Sequence, residues 1–374
     1  MTLTPRIRNA IRHIVPFGLI WLFFSWVFLF VEAAATNRFE YAPAGSIRPN
    51  LEVLIFASLA VFGIGLLIGT LEHLLFYKLF AGRSLGLKLL LKFLTYLLLF
   101  TGVIVLVFPI AASIETGQPV LEQDIWDRLT EFMGNIVFLS TLLQMGVSLL
   151  ASLFFSEFSK QLGRGVLMGL LSGKYHEPNE EQRIFMFVDM NASTQIAEQL
   201  GHSTYFLLLK QYYHDVSQAI INHEGEVYQY VGDEIVITWK MKTGLRNLNC
   251  LRCFFAMREE LLKRESEYIE EFGVHPAFKA GLHCGVVTSG AIGVIKEDIV
   301  YTGDVLNATS RILSLCETLD SDFLISEAVY NQLTPGPELV FTSKGKTTLR
   351  GKQQTLELYA VNRQPVAALA STKV

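Results

Sequence analysis

The stretch Glu226-Val227-Tyr228-Gln229-Tyr230-Val231-Gly232-Asp233-Glu234-Ile235-Val236-Ile237 holds two apolar runs separated by Gly-Asp-Glu. Gly and Asp between two β-prone runs signal a hairpin, so this sheet has antiparallel neighbours. Upstream, Arg183-Ile184-Phe185-Met186-Phe187-Val188-Asp189 predicts a further strand over 184–188, again ending in a carboxylate. Between the two, Phe206, Leu209, Tyr213, Val216 and Ile220 recur at helical spacing and predict a helix over 205–223 with that face buried. Downstream, a second amphipathic helix is expected over 248–268, strands over 278–283, 286–291 and 299–302, and a helix over 306–319. Short strands near Phe323, Val340 and 357–361 close the pattern. Alternating strands and helices predict an α/β domain, and the hairpin rules out a purely parallel sheet.

The rest of the chain is of a different kind. Over 374 residues the mean hydropathy is +0.36 with 18% charged residues, and the apolar excess lies in the first 156 positions. Uncharged apolar runs occupy 17–31, 53–71, 93–114 and 132–156. With 14–16 counted into the first, each reaches the ~18 residues of a spanning helix. Arg6, Arg8 and Arg12 precede the first run, and Lys78, Arg83, Lys88 and Lys92 separate the second from the third. Glu115, Glu122, Asp124, Asp127 and Glu131 outnumber Arg128 between the third and fourth. The positive-inside bias then puts the amino terminus and everything after 156 in the cytoplasm, on a multi-pass protein of the inner (plasma) membrane. Pro109 is expected to kink or end the third span. Glu72 and His73, close to the interface, are expected to reach headgroups or water.

A net charge of −4 leaves no basic footprint for nucleic acid. Cys250, Cys253, Cys284 and Cys316 are unevenly spaced and read as reduced thiols rather than a zinc site. The division expected is a membrane region at 1–156, a connector helix and hinge at 157–181, the α/β domain at 182–362 and a tail at 363–374. Phe158, Leu162, Val166, Leu170 and Leu171 put one apolar seam on the connector, which suits pairing with a second copy.

Asp189 and Asp233 are the main clue to chemistry. Neighbouring strands that end in Asp can hold two divalent cations, which stabilise the attacking and leaving oxygens of a phosphoryl transfer. The competing reading is local, because Asp also caps helices and turns hairpins. After Asp189, Met190-Asn191-Ala192-Ser193-Thr194 is a small-residue turn before a helix, where backbone amides point at an anion. Gly303-Asp304-Val305-Leu306-Asn307-Ala308-Thr309-Ser310-Arg311 puts Asn307 and Arg311 on one helical face. Such an Arg can offset charge on a transferring phosphoryl group, or simply pair with Glu317 or Asp304.

Taken together, Phe-Val-Asp-Met-Asn-Ala-Ser-Thr, Tyr-Val-Gly-Asp-Glu, Gly-Asp-x-x-Asn-x-x-x-Arg and Leu349-Arg350-Gly351-Lys352 resemble the class III nucleotidyl cyclases, in order and at their usual separations. The resemblance covers about 182–362. It implies a ferredoxin-like α+β mixed sheet, an amino-terminal membrane region before it, in keeping with the four transmembrane helices expected from the apolar runs, and cyclisation of a nucleoside triphosphate with release of pyrophosphate. It makes Asp189 and Asp233, with the Met190 carbonyl, ligands of two Mg²⁺ or Mn²⁺ ions. It gives Asn191, Ala192, Ser193 and Thr194 the phosphates, and Lys352 the triphosphate. Asn307 and Arg311 become the pair that orients the ribose and stabilises the transition state. In the family that pair comes from the partner subunit, so a homodimer is implied.

Gln229 and Val300 stand where many members read the base with Lys and with Asp or Thr. A Gln amide donates and accepts, so it suits adenine and, flipped, guanine or a pyrimidine. ATP is the substrate expected, because Glu and Cys would mark the guanylate type at these positions. The alternatives are a guanylate or pyrimidine nucleotide cyclase and a membrane receptor that only binds nucleotide. A diguanylate cyclase is excluded by the absence of its Gly-Gly-acidic-acidic-Phe loop.

Overall fold

A computed structural model describes residues 5–36, 51–76, 83–116, 118–162, 167, 169, 172–295, 297–334, 336, 338–348 and 355–364. The chain divides into two compact units, residues 7–164 and residues 165–374, with 1–6 grouped with the latter.

The first unit is helical: α1 (Pro5–Thr36), α2 (Leu51–Leu71) continued by a π-helical turn (Glu72–Phe76), α3 (Leu85–Thr116), α4 (Gln123–Gly134) and α5 (Ile136–Leu162). Three stretches, Ala10–Val31, Leu85–Leu106 and Phe138–Gln161, are long and apolar enough to cross a membrane, and Ser58–Leu74 is apolar but shorter. The last long stretch starts later than expected, because Asn135 is extended (φ −83°, ψ 149°) and ends an amphipathic α4 that buries Ile125 and Leu129. Helix α3 runs through Pro109 to Thr116, so the proline does not end it. Helices α1 and α2 touch through small residues: a Cβ on Gly65 would lie 2.8 Å from the Phe17 carbonyl oxygen and from Gly18 Cα.

Glu72 does not reach water. It is 3% exposed and pairs with the buried Lys92, while Lys160 lies 3.8 Å away. Lys92 is also 3.3 Å from Glu157, which Lys88 meets at 2.8 Å. A carboxylate withdrawn from water needs such partners, and α3 and α5 bring them from distant sequence. The His73 ring lies against that of His13, tilted 32° to it with centroids 4.9 Å apart. Helix α5 continues past residue 156 to Leu162, as the connector pattern suggested. Positions 163–166, 168, 170 and 171 lie outside the described residues.

The second unit is a mixed sheet in the order β2-β3-β1-β4-β6-β8-β7, with β5 added on β4. The strands are β1 (Asn179–Met190), β2 (Glu226–Val231), β3 (Glu234–Lys240), β4 (Phe278–Ile292), β5 (Asp298–Thr302), β6 (Phe323–Ser326), β7 (Leu339–Thr348) and β8 (Thr355–Arg363). Only β4 and β6 pair in parallel among the described strands. Helix α6 (Ser193–Asn222) follows β1. Then α7 (Met241–Leu245), α8 (Asn249–Lys263) and α9 (Glu265–Phe272) follow β3. Helix α10 (Asp304–Ser314) follows β5, and α11 (Glu327–Tyr330) follows β6.

Alternation along β1 sorts two cores. Ile184, Met186 and Val188 pack with Leu208, Tyr212 and Phe254 of α6 and α8. Phe185 and Phe187 pack with Val305, Ala308 and Ile312 of α10. Gly281 is what lets α10 lie on β4, since a Cβ there would come 2.5 Å from the Leu313 amide nitrogen. We expect Gly281→Ala to push α10 off the sheet and cost about 1–3 kcal/mol, measured as a loss in denaturation midpoint.

Several expected boundaries move. The polar 179–181 segment is strand rather than hinge, because it pairs with β4 from Asn179↔Ser289 to Glu181↔Val287. The two strands expected over 278–291 are one. The 248–268 helix breaks at Arg264, and α10 stops at Ser314, short of 319. Helix α6 starts at Ser193, twelve positions early, and is interrupted at Gly201 (φ 73°, ψ 162°). Its buried face is Leu208, Tyr212, Val216, Ala219 and Ile220, whereas Phe206 is 68% exposed.

Candidate functional site

Asp189 is the penultimate residue of β1, inside the strand rather than beyond it, opposite Lys279 of β4. Asp233 is the second residue of the β2–β3 turn, whose first residue, Gly232, takes the left-handed φ of 62° that glycine adopts without strain. Tyr213 of α6 secures that turn, its hydroxyl donating to the Gly232 carbonyl and its ring 4.4 Å from that of Tyr230. The carboxylates thereby face each other across the end of the sheet.

Their electrostatics call for a cation. Burial, then the charge of Asp233, pushes the Asp189 carboxyl up to about 6. Burial, then Asp189 and Asp233, pushes Glu234 up to about 7. Asp233 Oδ2 is buried with no hydrogen-bond partner. Lys279 offsets part of this charge, 3.8 Å from Asp189 Oδ2, but it also pairs with Glu317. A buried orphan oxygen beside a repelled carboxylate is a hard-oxygen donor set, which fits Mg²⁺ or Mn²⁺. Among the described residues no group of three or more His, Cys, Asp or Glu gathers as a metal site.

The Asp189 pKa is raised on folding, so its contribution is most favourable below the unfolded value near 3.8 and is lost as pH rises through about 6. The melting temperature of metal-free protein should therefore fall between pH 4 and 7 relative to Asp189→Asn, whose curve lacks this component. Millimolar Mg²⁺ or Mn²⁺ should remove the difference. Two curves that stay parallel would count against the facing carboxylates.

The turn after β1 is partly committed to the fold. Asn191 N–H donates to the Ala277 carbonyl at 2.8 Å, leaving Ala192, Ser193 and Thr194 at the start of α6, where first-turn amides have no helical acceptor. Ala192 has a left-handed φ of 55°.

Gln229 is placed by a β-bulge. Val227 opposes Ile237 but Gln229 opposes Val236, so Tyr228 is the extra residue. Val236 lies in the core under α10 with Phe187, so the slip turns Gln229 to the face from which Asp189 projects. Val300 is half-buried opposite Gly290. Their neighbours Tyr228 and Tyr301 meet, the Tyr301 amide donating to the Tyr228 hydroxyl at 3.3 Å.

Asn307 is exposed and Arg311 half-buried on the side of α10 away from Val305, Ala308 and Ile312. Among the described residues no hydrogen bond or ion pair links either side chain to Asp189 or Asp233. Glu317, one acid considered for Arg311, pairs with Lys279 instead. Lys352 lies outside the described residues. Sequence reasoning missed Glu234, Tyr213 and Lys279. The first sits beside Asp233 in the quoted hairpin, while the other two had no local signal, since only the register and the packing of α6 bring them in.

The family model of the adenylate and guanylate cyclase catalytic domain matches residues 175–363, half of the chain. The chain belongs to this family. Cyclase domains of this kind use divalent metals and a nucleoside triphosphate. Adenylate cyclase 2 of Rhizobium meliloti is 30% identical over 221 residues, 59% of this chain and 61% of that protein. Adenylate cyclase 1 of the same organism is 27% identical over 47% of this chain and 27% of its own length. This chain thus spans less than two thirds of either relative. The solved adenylyl cyclase CyaB from P. aeruginosa aligns with 51% of this chain and 98% of its own at 19% identity, TM-score 0.45.

Proposed function

We propose that this protein is a membrane-anchored adenylate cyclase that converts ATP to 3′,5′-cyclic AMP and pyrophosphate at a homodimer interface. The observation that carries the reading is the facing pair Asp189 and Asp233 with its orphaned buried oxygen. Both relatives named above are adenylate cyclases. The Gln229 amide, on the carboxylate face, matches the donor and acceptor of adenine's edge.

Asp189 and Asp233, with the Met190 carbonyl, would hold the divalent cations. When bound, these supply Lewis acidity that favours the ribose 3′-alkoxide and neutralises phosphate charge. The amides of Ala192, Ser193 and Thr194 bind the β- and γ-phosphates, joined by Lys352, and align pyrophosphate as leaving group. Asn307 holds the ribose so that its 3′-oxygen lies in line with the α-phosphorus. Arg311 offsets the charge that grows on the five-coordinate phosphorus. No side chain is assigned as a base for the 3′-hydroxyl proton. One copy offers the carboxylates and its partner the exposed Asn307 and the half-buried Arg311. The apolar helices of the first unit anchor the enzyme in the inner membrane, amino terminus and cyclase domain in the cytoplasm.

The test is a substrate panel: purified full chain in nanodiscs with Mg²⁺ or Mn²⁺ and each of ATP, GTP, CTP and UTP. Cyclic AMP as the main product is expected. Cyclic GMP or a cyclic pyrimidine nucleotide would replace the substrate assignment, and no cyclic product from any triphosphate would overturn the enzyme reading.

A further inference from the structure

Arg183 is a buried cation that the chemistry above does not use. It is 2% exposed on β1, yet it reaches across β3 to β2, where Nη1 donates to Glu226 Oε2 at 2.9 Å. Its Nε lies 3.1 Å from Glu181 Oε1, off line for a hydrogen bond, and its Cζ sits 4.8 Å from the centre of the Tyr301 ring. Burying a guanidinium is costly, and an apolar side chain of similar volume packs a core at least as well. What the guanidinium does, and an apolar chain cannot, is tie three strands at fixed angles.

Those strands carry the two positions read as facing the base. Glu226 opens β2, and two residues on is the bulged Tyr228. The Tyr228 hydroxyl takes the Tyr301 amide, and the two rings meet edge to face with centroids 5.1 Å apart. Gln229 and Val300 are the next residues along. A bulge is a soft point in a strand, and loss of the extra residue shifts register by one, turning every following side chain to the other face. Nothing in the local sequence of β2 demands the bulge. At the bulge Tyr228 meets Tyr301 edge to face, and Arg183 lies over the Tyr301 ring.

We propose that Arg183 is a positioning residue for nucleobase selection, acting through Tyr301 and Tyr228 to keep Gln229 on the carboxylate face. This rests on the cyclase reading above. Arg183 touches no substrate and is not catalytic.

The experiment uses the full chain with Tyr228→Phe, which deletes one hydroxyl, Arg183→Met, which deletes the fork and charge, and Arg183→Lys, which keeps the charge alone. Steady-state kinetics with ATP and GTP are measured beside binding of non-cyclisable analogues of both and thermal melts. Arg183→Met and Tyr228→Phe are expected to raise KM for ATP about tenfold with kcat within threefold. The ratio of kcat/KM for ATP to that for GTP should shift at least fivefold, and analogue affinities should follow. Arg183→Lys should lie between. If Arg183→Met does not fold, Tyr228→Phe carries the same expectation alone. A melting temperature that drops while KM and the ATP-to-GTP ratio stay put would mean a structural role only and overturn the proposal. Wild-type protein inert toward every triphosphate would refute the cyclase reading. Wild type that makes cyclic AMP, beside variants of unaltered preference, would refute only the role of Arg183.

Discussion

Asp233→Ala should abolish cyclic nucleotide formation without unfolding the protein. Asp233 occupies a turn rather than a core, and it repels Asp189, whose carboxyl is pushed up to about 6 in its presence. Removing one of two like charges relieves that repulsion, so metal-free Asp233→Ala should melt no lower than wild type. The chemical loss is expected to be complete because one remaining carboxylate cannot organise a two-cation phosphoryl transfer. Asp189→Ala should behave alike, although Lys279 then keeps only Glu317 as a partner. Two measurements separate site from fold: Mn²⁺ binding by calorimetry, which should vanish, and thermal melting, which should not drop. Activity retained in either variant would remove the two carboxylates from the mechanism.

Arg311→Ala should lower kcat by on the order of a hundredfold or more, with a smaller change in KM, because its charge is needed most at the transition state. Stability should hardly change, since the guanidinium makes no ion pair among the described residues. The more telling result comes from mixing. If Arg311 serves the partner's carboxylates, a hybrid of Asp189→Ala with Arg311→Ala has one doubly damaged site and one intact site. Random pairing at equal amounts then yields about a quarter of wild-type activity from two dead proteins. Absence of any rescue, with hybrids verified by tagged pull-down, would place all the residues in one chain.

Asp233 was legible because turn chemistry is local, Gly-Asp between apolar runs signalling a hairpin end, whereas Asp189, expected just past its strand, lies inside β1. That Asn307 and Arg311 share one face was legible from helical spacing, and that face lies away from the buried Val305, Ala308 and Ile312. Helix α6 was only half legible. Its apolar residues allow more than one buried face, and the break at Gly201 resets which of them meets the sheet, so Phe206 ended outside. Glu72 misled for a similar reason. A carboxylate at the end of an apolar run looks like an interfacial group until α3 and α5 bring Lys92 and Lys160 to it.

Order along the chain settled the alternation of strand and helix, the apolar helices ahead of the sheet, the hairpin and the residue types at the candidate site. These are short-range properties, governed by periodicity, turn preference and transfer free energy, and a linear sequence carries them whole. The tertiary structure alone decided the parallel pairing of β4 with β6, Lys279 opposite Asp189, the bulge that turns Gln229 and the burial of Arg183 beneath Tyr301. Each depends on which distant segment becomes a neighbour and in what register. That choice is made by the summed packing of the whole sheet, and no window of sequence contains it.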